Sequence, residues 1–529
     1  MSQYTLTVMD TAGIQDYIFG TNNLQQNVGA SYLVDCATRK WVVKALPEPH
    51  NIHDLDNPDH PFDGRKIEKN GLAAEVVYAG GGNTVIIFAS RDEAIAFARR
   101  LTRRVLVEAP GLNIVLAHED FDWQWDALGG QAGCVKRLMD TLDHRKQDYT
   151  LSTPILGLGV TAACAFTGLP AIGKDEDERL ISAEVQAKIE AETAAHAKLM
   201  ELVDWGGYDV PKDFDDFGRT RGESGYIAVI HTDGNGMGKR IRRLRDRFPT
   251  TQQNRDYIEE MRDFSLSVQR SAIKALQSTV NRLVQAVRHE EDGDYIGENK
   301  EIKIRDGKLP FRPIVFGGDD VTFVCDGRLG LSLTAYYMEQ LSQQRLADGE
   351  PAHCRAGIAV VKTHYPFARA YALADDLCRS AKAYIKKRQQ PPFGEDGLTA
   401  MDWHFAVGGL IRDLPEVRKR EYRVSAGDLC MRPVRLTDPD KDWCSWETFR
   451  RITRTFRADE QWAGRRNKIK ALRDALRAGP HAVEHFRKVY LSDELPSIPG
   501  QPNMASQGWQ GERCGYFDAI EAMNFFVEL

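Results

Sequence analysis

Two acidic segments that lie far apart in the sequence carry the residue types of a metal-dependent nucleotidyl-transfer site. Asp233 ends an apolar run and begins the segment Asp-Gly-Asn-Gly, and Asp319 and Asp320 close the segment Gly-Gly-Asp-Asp. Convergent carboxylates suit Mg²⁺ or Mn²⁺, which takes few protein ligands and leaves its other positions to water and nucleotide phosphates. Two such ions about 3.5–4 Å apart would stabilise the attacking 3′-oxygen and the departing pyrophosphate.

Glycines beside these acids would let a triphosphate approach the backbone, and amide groups ahead of a following helix suit an anion. The segment 234–240 is not a Walker phosphate-binding loop, because Arg240 stands where that motif requires Ser or Thr. Lys382 is a further phosphate-binding candidate, with a solvated helical lysine as the alternative interpretation. Gly-Gly-Asp-Asp is also ordinary hairpin-turn composition. The candidate residues are the catalytic and metal-binding acids Asp233, Asp319 and Asp320, and the nucleotide-binding residues Gly234, Asn235, Gly236, Gly317, Gly318 and Lys382.

The elements that must position these residues recur twice in the same order. The first part of the chain predicts, in order, a strand, a helical stretch, a hairpin, a helix and a strand, over residues 4–9, 14–46, 75–88, 91–108 and 112–117. The second part repeats this order and adds a helix, over 226–230, 237–290, 313–325, 329–345, 354–361 and 366–387. A repeated βαββαβ order predicts an α+β fold with two ferredoxin-like palm domains, in which the first strand and the hairpin are neighbours.

The two copies align residue by residue. The segment 11–13 lies beside 232–234, and the segment 81–85 lies beside 317–321. In this register the first copy replaces every acid, with Ala12 for Asp233, Asn83 for Asp319 and Thr84 for Asp320. The alignment predicts one unit equipped for catalysis and one degenerate unit without catalytic acids.

Four regions follow from these patterns. We expect a degenerate first palm over residues 1–125, an inter-palm region over 126–222, a catalytic second palm over 223–408 and a basic helical domain over 409–529. Within the last region, residues 450–488 hold twelve Lys or Arg against four Asp or Glu, a local charge of +8. This basic segment suits a phosphate backbone or an acidic partner, and a solvated helical face explains it equally well.

The composition is that of an ordinary globular protein and excludes a strongly basic, histone-like binder. The 529 residues are 42% apolar and 28% charged, and 70 Lys and Arg against 76 Asp and Glu give a net charge of −6. The nine cysteines form no C-x-x-C pair, so we expect reduced thiols, a cytoplasmic location and no zinc site. The uncharged stretch 154–173 is too broken by Pro and Gly to span a bilayer, and we expect no membrane association.

Several motifs together resemble those of the large polymerase-like subunit of type III CRISPR effector complexes. The segments Tyr17-Ile-Phe-Gly, Asn27-Val-Gly-Ala-Ser and Gly80-Gly-Gly-Asn are similar to that family's first palm, and the segments 233–238 and 317–320 are similar to its second, catalytic palm. The resemblance covers both palms and most of the chain. It implies an enzyme that joins ATP into cyclic oligoadenylate second messengers in antiviral defence, when a guide-RNA complex meets target RNA. It also implies that Asp319 and Asp320 bind metal and that nucleotides sit between the palms.

This sequence departs from the family pattern in two places. Many relatives carry an N-terminal HD nuclease domain, whereas this sequence starts at the first palm, so we expect no built-in DNase. Relatives often hold a cysteine-rich zinc element between the palms, where this chain has only Cys134 and Cys164. Expected partners are subunits of a guide-RNA effector complex and target RNA. Two other functions stay open: a non-catalytic RNA-binding scaffold subunit, and a stand-alone cyclic dinucleotide synthase similar to GGDEF proteins.

Overall fold

The computed structural model describes residues 3–57, 59–148, 159–217, 225–409, 411, 413–490 and 494–529. The first part of the chain, which we call the first unit (3–122), contains β1 (Gln3–Ala12), α1 (Ile14–Phe19), α2 (Leu24–Asp35), α3 (Trp41–Ala45), α4 (Ile67–Asn70), β2 (Ala74–Gly80), β3 (Asn83–Phe88), α5 (Arg91–Glu108) and β4 (Asn113–Asp122). A π-helical turn joins α2 to α3. The four strands form one antiparallel sheet in the order β2-β3-β1-β4.

Helix α5 shows how the sequence sets these elements. It begins after Ser90, whose hydroxyl accepts a hydrogen bond from the Glu93 amide at 3.3 Å, a typical N-cap. Buried apolar residues then recur along one face, at Ala94, Phe97, Leu101 and Val105. The ring of Phe97 lies 5.2 Å from that of Phe88 on β3, so this face packs on the sheet.

A connecting region follows the first unit and contains α6 (Cys134–Asp148), β5 (Gly173–Lys174), β6 (Leu180–Ile181) and α7 (Ala183–Leu202). Helix α7 packs tightly on α2, where a Cβ added at Gly29 would lie 1.8 Å from the Lys188 carbonyl oxygen. Residues 154–158 of the uncharged stretch and the expected boundary at 222/223 lie outside the described residues. Among the described helices, none is both long and apolar enough to cross a membrane.

The second unit (226–406) contains β7 (Tyr226–Gly234), α8 (Met237–Asp246), α9 (Asn254–Gln285), β8 (Val287–Glu290), β9 (Gly293–Ile296), β10 (Ile302–Lys303), β11 (Phe311–Val315), β12 (Val321–Asp326), α10 (Gly330–Ser342), β13 (Cys354–Lys362), α11 (Phe367–Arg388) and β14 (Ala400–Ala406). Strands β8, β9 and β10 form a separate small sheet. The α+β class expected from the sequence is confirmed: the chain is a mixed structure of several sheets and helices.

The C-terminal part contains α12 (Leu414–Glu421), β15 (Arg423–Val424), β16 (Gly427–Asp428), β17 (Val434–Arg435), α13 (Trp446–Ala458), α14 (Arg466–Ala478), α15 (Pro480–Tyr490), α16 (Pro502–Gln507), β18 (Trp509–Gln510), β19 (Arg513–Cys514) and α17 (Phe517–Ala522). The main sheet of the second unit has the order β11-β12-β7-β13-β14-β17, and its first four strands repeat the order of the first unit.

The C-terminal part is less purely helical than the sequence predicts. Strands β15, β16, β18 and β19 form a small sheet of their own, and β17 pairs with β14 of the second unit. The expected boundary at 408/409 therefore falls between two strands of one sheet. These strands were missed because each is two residues long, too short to show the alternation by which a strand is recognised.

The hairpin alignment of the two units proves wrong in register. The Thr11 hydroxyl donates to the Gly82 carbonyl at 2.9 Å, and the Thr232 hydroxyl donates to the Val321 carbonyl at 3.2 Å. The match of Thr11 with Thr232 is thus confirmed, but Gly82, rather than Val85, takes the place of Val321. The first hairpin turns tightly between Gly80 and Asn83, whereas the second has residues 316–320 outside any strand. The acids lie on a loop that the first unit lacks.

Buried contacts join the two units. Glu75 on β2 is fully buried and pairs with two arginines of α9, Arg255 at 2.6 Å and Arg262 at 3.1 Å. The ring of Phe19 on α1 stacks on Tyr371 of α11, with centroids 3.8 Å apart. The cleft between the units is therefore bounded by elements that are fixed to one another.

Candidate active site

The structure brings the three predicted acids together at one edge of the second unit. Asp233 lies near the end of β7, and Asp319 and Asp320 lie on the loop that leads into β12. Because β12 pairs with β7, with Val321 opposite Thr232, this loop ends beside Asp233. One carboxylate oxygen from each acid lies within 4.8 Å of the others. No other group of three or more Asp, Glu, His or Cys in the described part of the chain meets this spacing.

Glycine is required where the loop folds over the end of β7. A Cβ added at Gly234 would lie 2.9 Å from the Cβ of Asp319, so any side chain there would push the acid away. Gly317 has φ +91°, a conformation that L side chains rarely adopt. The glycines that the sequence analysis assigned to nucleotide approach thus have a second role, because they shape the loop that carries the acids.

Desolvation by the surrounding protein raises the pKa of both loop acids. Burial against the protein raises the pKa of Asp319. The pKa of Asp320 rises to about 7, because the carboxyl is hemmed in by protein and lies near Asp319 and Asp375, and Lys382 only partly offsets this. Asp320 nevertheless keeps solvent access in the open cleft. Hard oxygen ligands with unbalanced negative charge fit Mg²⁺ or Mn²⁺, and these three residues would hold it.

An arginine that the sequence analysis missed is also part of the site. Arg355 on β13 lies directly opposite Asp233 on β7, and its guanidinium forms an ion pair with that carboxylate. The side chain is only 5% exposed. It also donates to the Gly234 carbonyl at 3.1 Å and to the Asn235 side-chain oxygen at 3.0 Å. A charged residue inside the apolar strand sequence Cys-Arg-Ala-Gly-Ile-Ala-Val-Val was the signal that could have found it.

The segment after Asp233 divides into a structural and an open part. The Asn235 side chain donates to the Leu398 carbonyl at 2.7 Å, and its amide donates to the His353 carbonyl at 2.8 Å, so this predicted nucleotide-binding residue is engaged within the protein. Gly236 has φ +71° and begins α8 without a side-chain cap. The Lys239 amide donates to the Gly236 carbonyl at 2.8 Å, and the amides of Met237 and Gly238, which lie before this first bond, suit an anion.

Lys382 lies on α11, on the side of the acids. It is exposed, and its charge lowers the pKa of Asp320, which places the ammonium group within electrostatic reach of the site. Two turns earlier on the same helix, Asp375 pairs with Arg379. The structure therefore places the exposed, positively charged side chain of Lys382 on the solvent side of the acids.

A cavity of about 300 Å³ extends from the acids into the cleft between the two units. The first unit lines it with the hairpin tip Gly80–Asn83, and the second unit lines it with the acid loop and with apolar side chains of α8 and α9, such as Met237 and Phe264. Gln269 adds a polar group to the same wall. The site is thus shared by both units, although only the second supplies carboxylates.

Comparison with known proteins shows likeness in fold rather than in sequence. No protein-family model and no curated protein matches the sequence. The crystal structure of a Csm1–Csm4 cassette in complex with pppApApA is similar with a TM-score of 0.54 and 13% identity, over 99% of this chain and 69% of that chain. The structure of Csm1 in T. onnurineus is similar with a TM-score of 0.53 and 13% identity, over 100% and 70%. The chain therefore has a Csm1-like fold, as the resemblance of its motifs to the type III CRISPR polymerase-like subunit predicts.

Proposed function

We propose that the chain is a metal-dependent nucleotidyltransferase that joins ATP into cyclic oligoadenylates in type III CRISPR defence. The observation that carries this proposal is the convergence of Asp233, Asp319 and Asp320 at the mouth of a cavity between two units, in a chain with a Csm1-like fold. A cassette of that fold is described in complex with pppApApA, a linear chain of three joined adenylates with a 5′-triphosphate. Such a molecule is the expected intermediate of stepwise ATP joining.

In this proposal the two βαββαβ units are ferredoxin-like palms, and the four expected regions of the chain are its domains. Strand order supports this, since both units place the first strand between the third and the fourth. The inter-unit ion pairs of Glu75 support a single assembled site, because they fix the first unit against α9. The degenerate palm then serves as the second wall of the nucleotide cleft.

Asp319 and Asp320 act as metal ligands, with Asp233 as the third acid. A bound Mg²⁺ or Mn²⁺ supplies charge stabilisation for the attacking 3′-oxygen and the leaving pyrophosphate. The acid loop orients its carboxylates through the close contact of Asp319 with Gly234. The raised pKa of Asp320 means that this group releases a proton when it takes up the cation near neutral pH.

The phosphates of ATP lie along the open end of α8 and near Lys382. The amides of Met237 and Gly238 donate to phosphate oxygens, and Lys382 neutralises charge from the solvent side. The adenine ring packs in the apolar part of the cavity, where the half-buried Met237 and Phe316 offer contact surface and Gln269 offers a hydrogen-bonding group. The acids lie beside the reacting phosphates and would contact them through the cation that they hold.

Partners of this chain are subunits of a guide-RNA effector complex and target RNA. Helix α14 supports an RNA contact, because its exposed face repeats basic residues at helical spacing, at Arg466, Lys470, Arg473 and Arg477. Such a stripe follows a phosphate backbone. Replacing Arg466, Lys470 and Arg473 by Glu is expected to weaken RNA binding about tenfold or more at 100 mM salt and to flatten its salt dependence. The control is the double variant Glu290→Gln, Glu298→Gln, which changes two exposed acidic residues outside α14.

The test is product formation by the whole chain. Purified protein is incubated with each NTP and Mg²⁺ or Mn²⁺, alone and with candidate effector subunits and RNA, and products are separated by anion exchange and identified by mass. A cyclic oligoadenylate that appears with the partners supports a gated subunit. A cyclic dinucleotide from the protein alone would instead make it a stand-alone synthase. No product under any condition, with no nucleotide bound, would leave the scaffold function.

A further inference from the structure

The ion pair between Arg355 and Asp233 restricts how many metal ions the acids hold. A two-ion site needs carboxylate oxygens for both cations at a separation of about 3.5–4 Å. The guanidinium of Arg355 already contacts one oxygen of Asp233 and is held there by the Gly234 carbonyl and the Asn235 side chain. A divalent cation on the same oxygen would meet a fixed positive charge in a poorly solvated setting, where repulsion is strong.

From this geometry we infer that Arg355 takes the place of a second metal ion: of the three acids of the site, Asp319 and Asp320 bind one divalent cation, and Asp233 pairs with Arg355 instead. The inference rests on the proposed function and refines its metal requirement. Arg355 is a positioning residue: it holds Asp233 and supplies positive charge through it, without contact with substrate.

Charge balance agrees with a single cation. The three acids carry a charge of −3 when ionised, and Arg355 reduces this to −2, which one Mg²⁺ or Mn²⁺ neutralises. Asp375 and Asp376 both pair with Arg379, and together with Lys382 these four neighbouring groups carry no net charge. A second divalent ion would leave the site with excess positive charge before any nucleotide arrived.

The arginine cannot withdraw easily to make room. Its side chain is 5% exposed and lies on β13, which is paired on both sides, with β7 and with β14. Its other partners are the Gly234 carbonyl and the Asn235 side chain, just before α8. Its Nε is buried and has no hydrogen-bond partner among the described residues. Leaving the Asp233 carboxylate would leave the guanidinium with only the neutral acceptors of Gly234 and Asn235 and no anion, and a buried unpaired charge is costly.

The inference is tested by counting Mn²⁺ ions bound per chain without nucleotide, by equilibrium dialysis and electron paramagnetic resonance at pH 8. We expect one ion in the wild type, none in the Asp319→Asn, Asp320→Asn double variant, and two in Arg355→Ala, with the spin–spin broadening of a close pair. Arg355→Lys, which restores a positive charge, is expected to return the count to one. A purely structural role for Arg355 would change stability and leave the count unchanged.

Arg240→Ala is the matched control, because Arg240 is also 5% exposed and pairs with a carboxylate, Asp348, away from the acids. It is expected to keep one ion. Two ions in the wild type, none in the wild type, or one in Arg355→Ala would each overturn the inference. If Arg355→Ala does not fold, Arg355→Met takes its place and is likewise expected to bind two ions. A chain that makes product and binds two ions overturns only this inference, whereas one that binds a single ion and makes no product overturns only the proposed function.

Discussion

The two βαββαβ units have the same strand order and the same threonine hydrogen bond, yet only the second carries the three acids of the candidate site. Asp233 and Arg355 face each other on β7 and β13, and the corresponding pair on β1 and β4 is Ala12 and Asn113. Strand pairing is formed by backbone hydrogen bonds, so it does not change when Asp and Arg stand in one unit and Ala and Asn in the other. The comparison teaches that the fold of a unit and its chemistry are separable, and that the acid and its arginine are present or absent together.

The first unit does keep one acid on the same face, and it is used differently. Asp10 pairs with Lys146 of α6 at 2.5 Å and accepts a hydrogen bond from the Thr11 amide at 2.8 Å. Burial raises the pKa of this carboxyl even beside the lysine. The acid of the first unit thus attaches a helix to its sheet, whereas the acids of the second unit face an open cleft.

Removing the acids of the second unit should give the largest effect. Asp319→Ala with Asp320→Ala is expected to lower product formation to less than about one-thousandth, because charge stabilisation by the cation is lost. The fold should persist, since the loop acids repel each other and fill no core volume. Asp10→Asn in the first unit is the control and should retain activity within about threefold. Products are measured by anion exchange. Equal losses in the two variants would contradict the proposal that only the second unit supplies catalytic acids.

The attachment of one unit to the other gives the next largest effect. Glu75→Gln leaves Arg255 and Arg262 buried without their anion and is expected to lower the free energy of unfolding by about 3 kcal/mol. Those arginines hold the pKa of Glu75 below its usual range despite burial, so this stabilisation is present at neutral pH and is lost as the pH falls through that lowered pKa.

Denaturant unfolding at pH 7.5 measures the Glu75 effect. Glu259→Gln is the matched control, because Glu259 makes an exposed ion pair with Lys66 between the same two units and should cost less than about 1 kcal/mol. A loss for Glu75→Gln no larger than that of the control would mean that the buried ion pair does not hold the units together.

The shared threonine contact tests the corrected register of the units. Thr11→Val and Thr232→Val each remove a buried hydroxyl that donates to a carbonyl at the end of the hairpin, and each is expected to cost about 1 kcal/mol. Similar losses in thermal unfolding would support the equivalence of Gly82 and Val321. A large loss in one variant and none in the other would contradict it. Thr102→Val, on the exposed face of α5, is the control for a solvated hydroxyl.

The smallest expected effect is on stability, and it comes from holding the ionised Asp320 carboxylate close to protein and to other acids. Since the pKa of Asp320 is about 7 in the folded chain and 3.8 for the free group, the folded state binds more protons between these values. The metal-free protein therefore loses stability as pH rises from about 4 to 7, and the full cost remains above pH 7. In EDTA, Asp320→Asn should raise Tm by about 1 °C at pH 8 and leave it unchanged at pH 4. A lower Tm at pH 8 would show that the carboxylate stabilises the loop.

Much of the architecture could be predicted from single-sequence patterns, and the misses have identifiable causes. Helix α5 was predicted with its observed bounds, because its N-cap and its apolar periodicity are both local signals. The register of the second hairpin was not, because Gly-Gly next to polar residues fits a tight turn and an open loop equally well. The pairing of Arg355 with Asp233 depends on two strands more than a hundred residues apart, which no local pattern links.

The sequence by itself determined the order of the main-sheet strands and their helices in both units and the identity of the three acids, because periodicity and residue type are properties of short segments. It did not predict the small sheet of β8, β9 and β10, whose first strand lies in the expected helical stretch 237–290. The tertiary structure decided which groups meet those acids. It paired Arg355 with Asp233, set the acid loop against Gly234 and placed the hairpin tip of the first unit along the cavity. These contacts arise from strand register and from the packing of one unit on the other, and both are set by the summed burial of the whole chain rather than by any single segment.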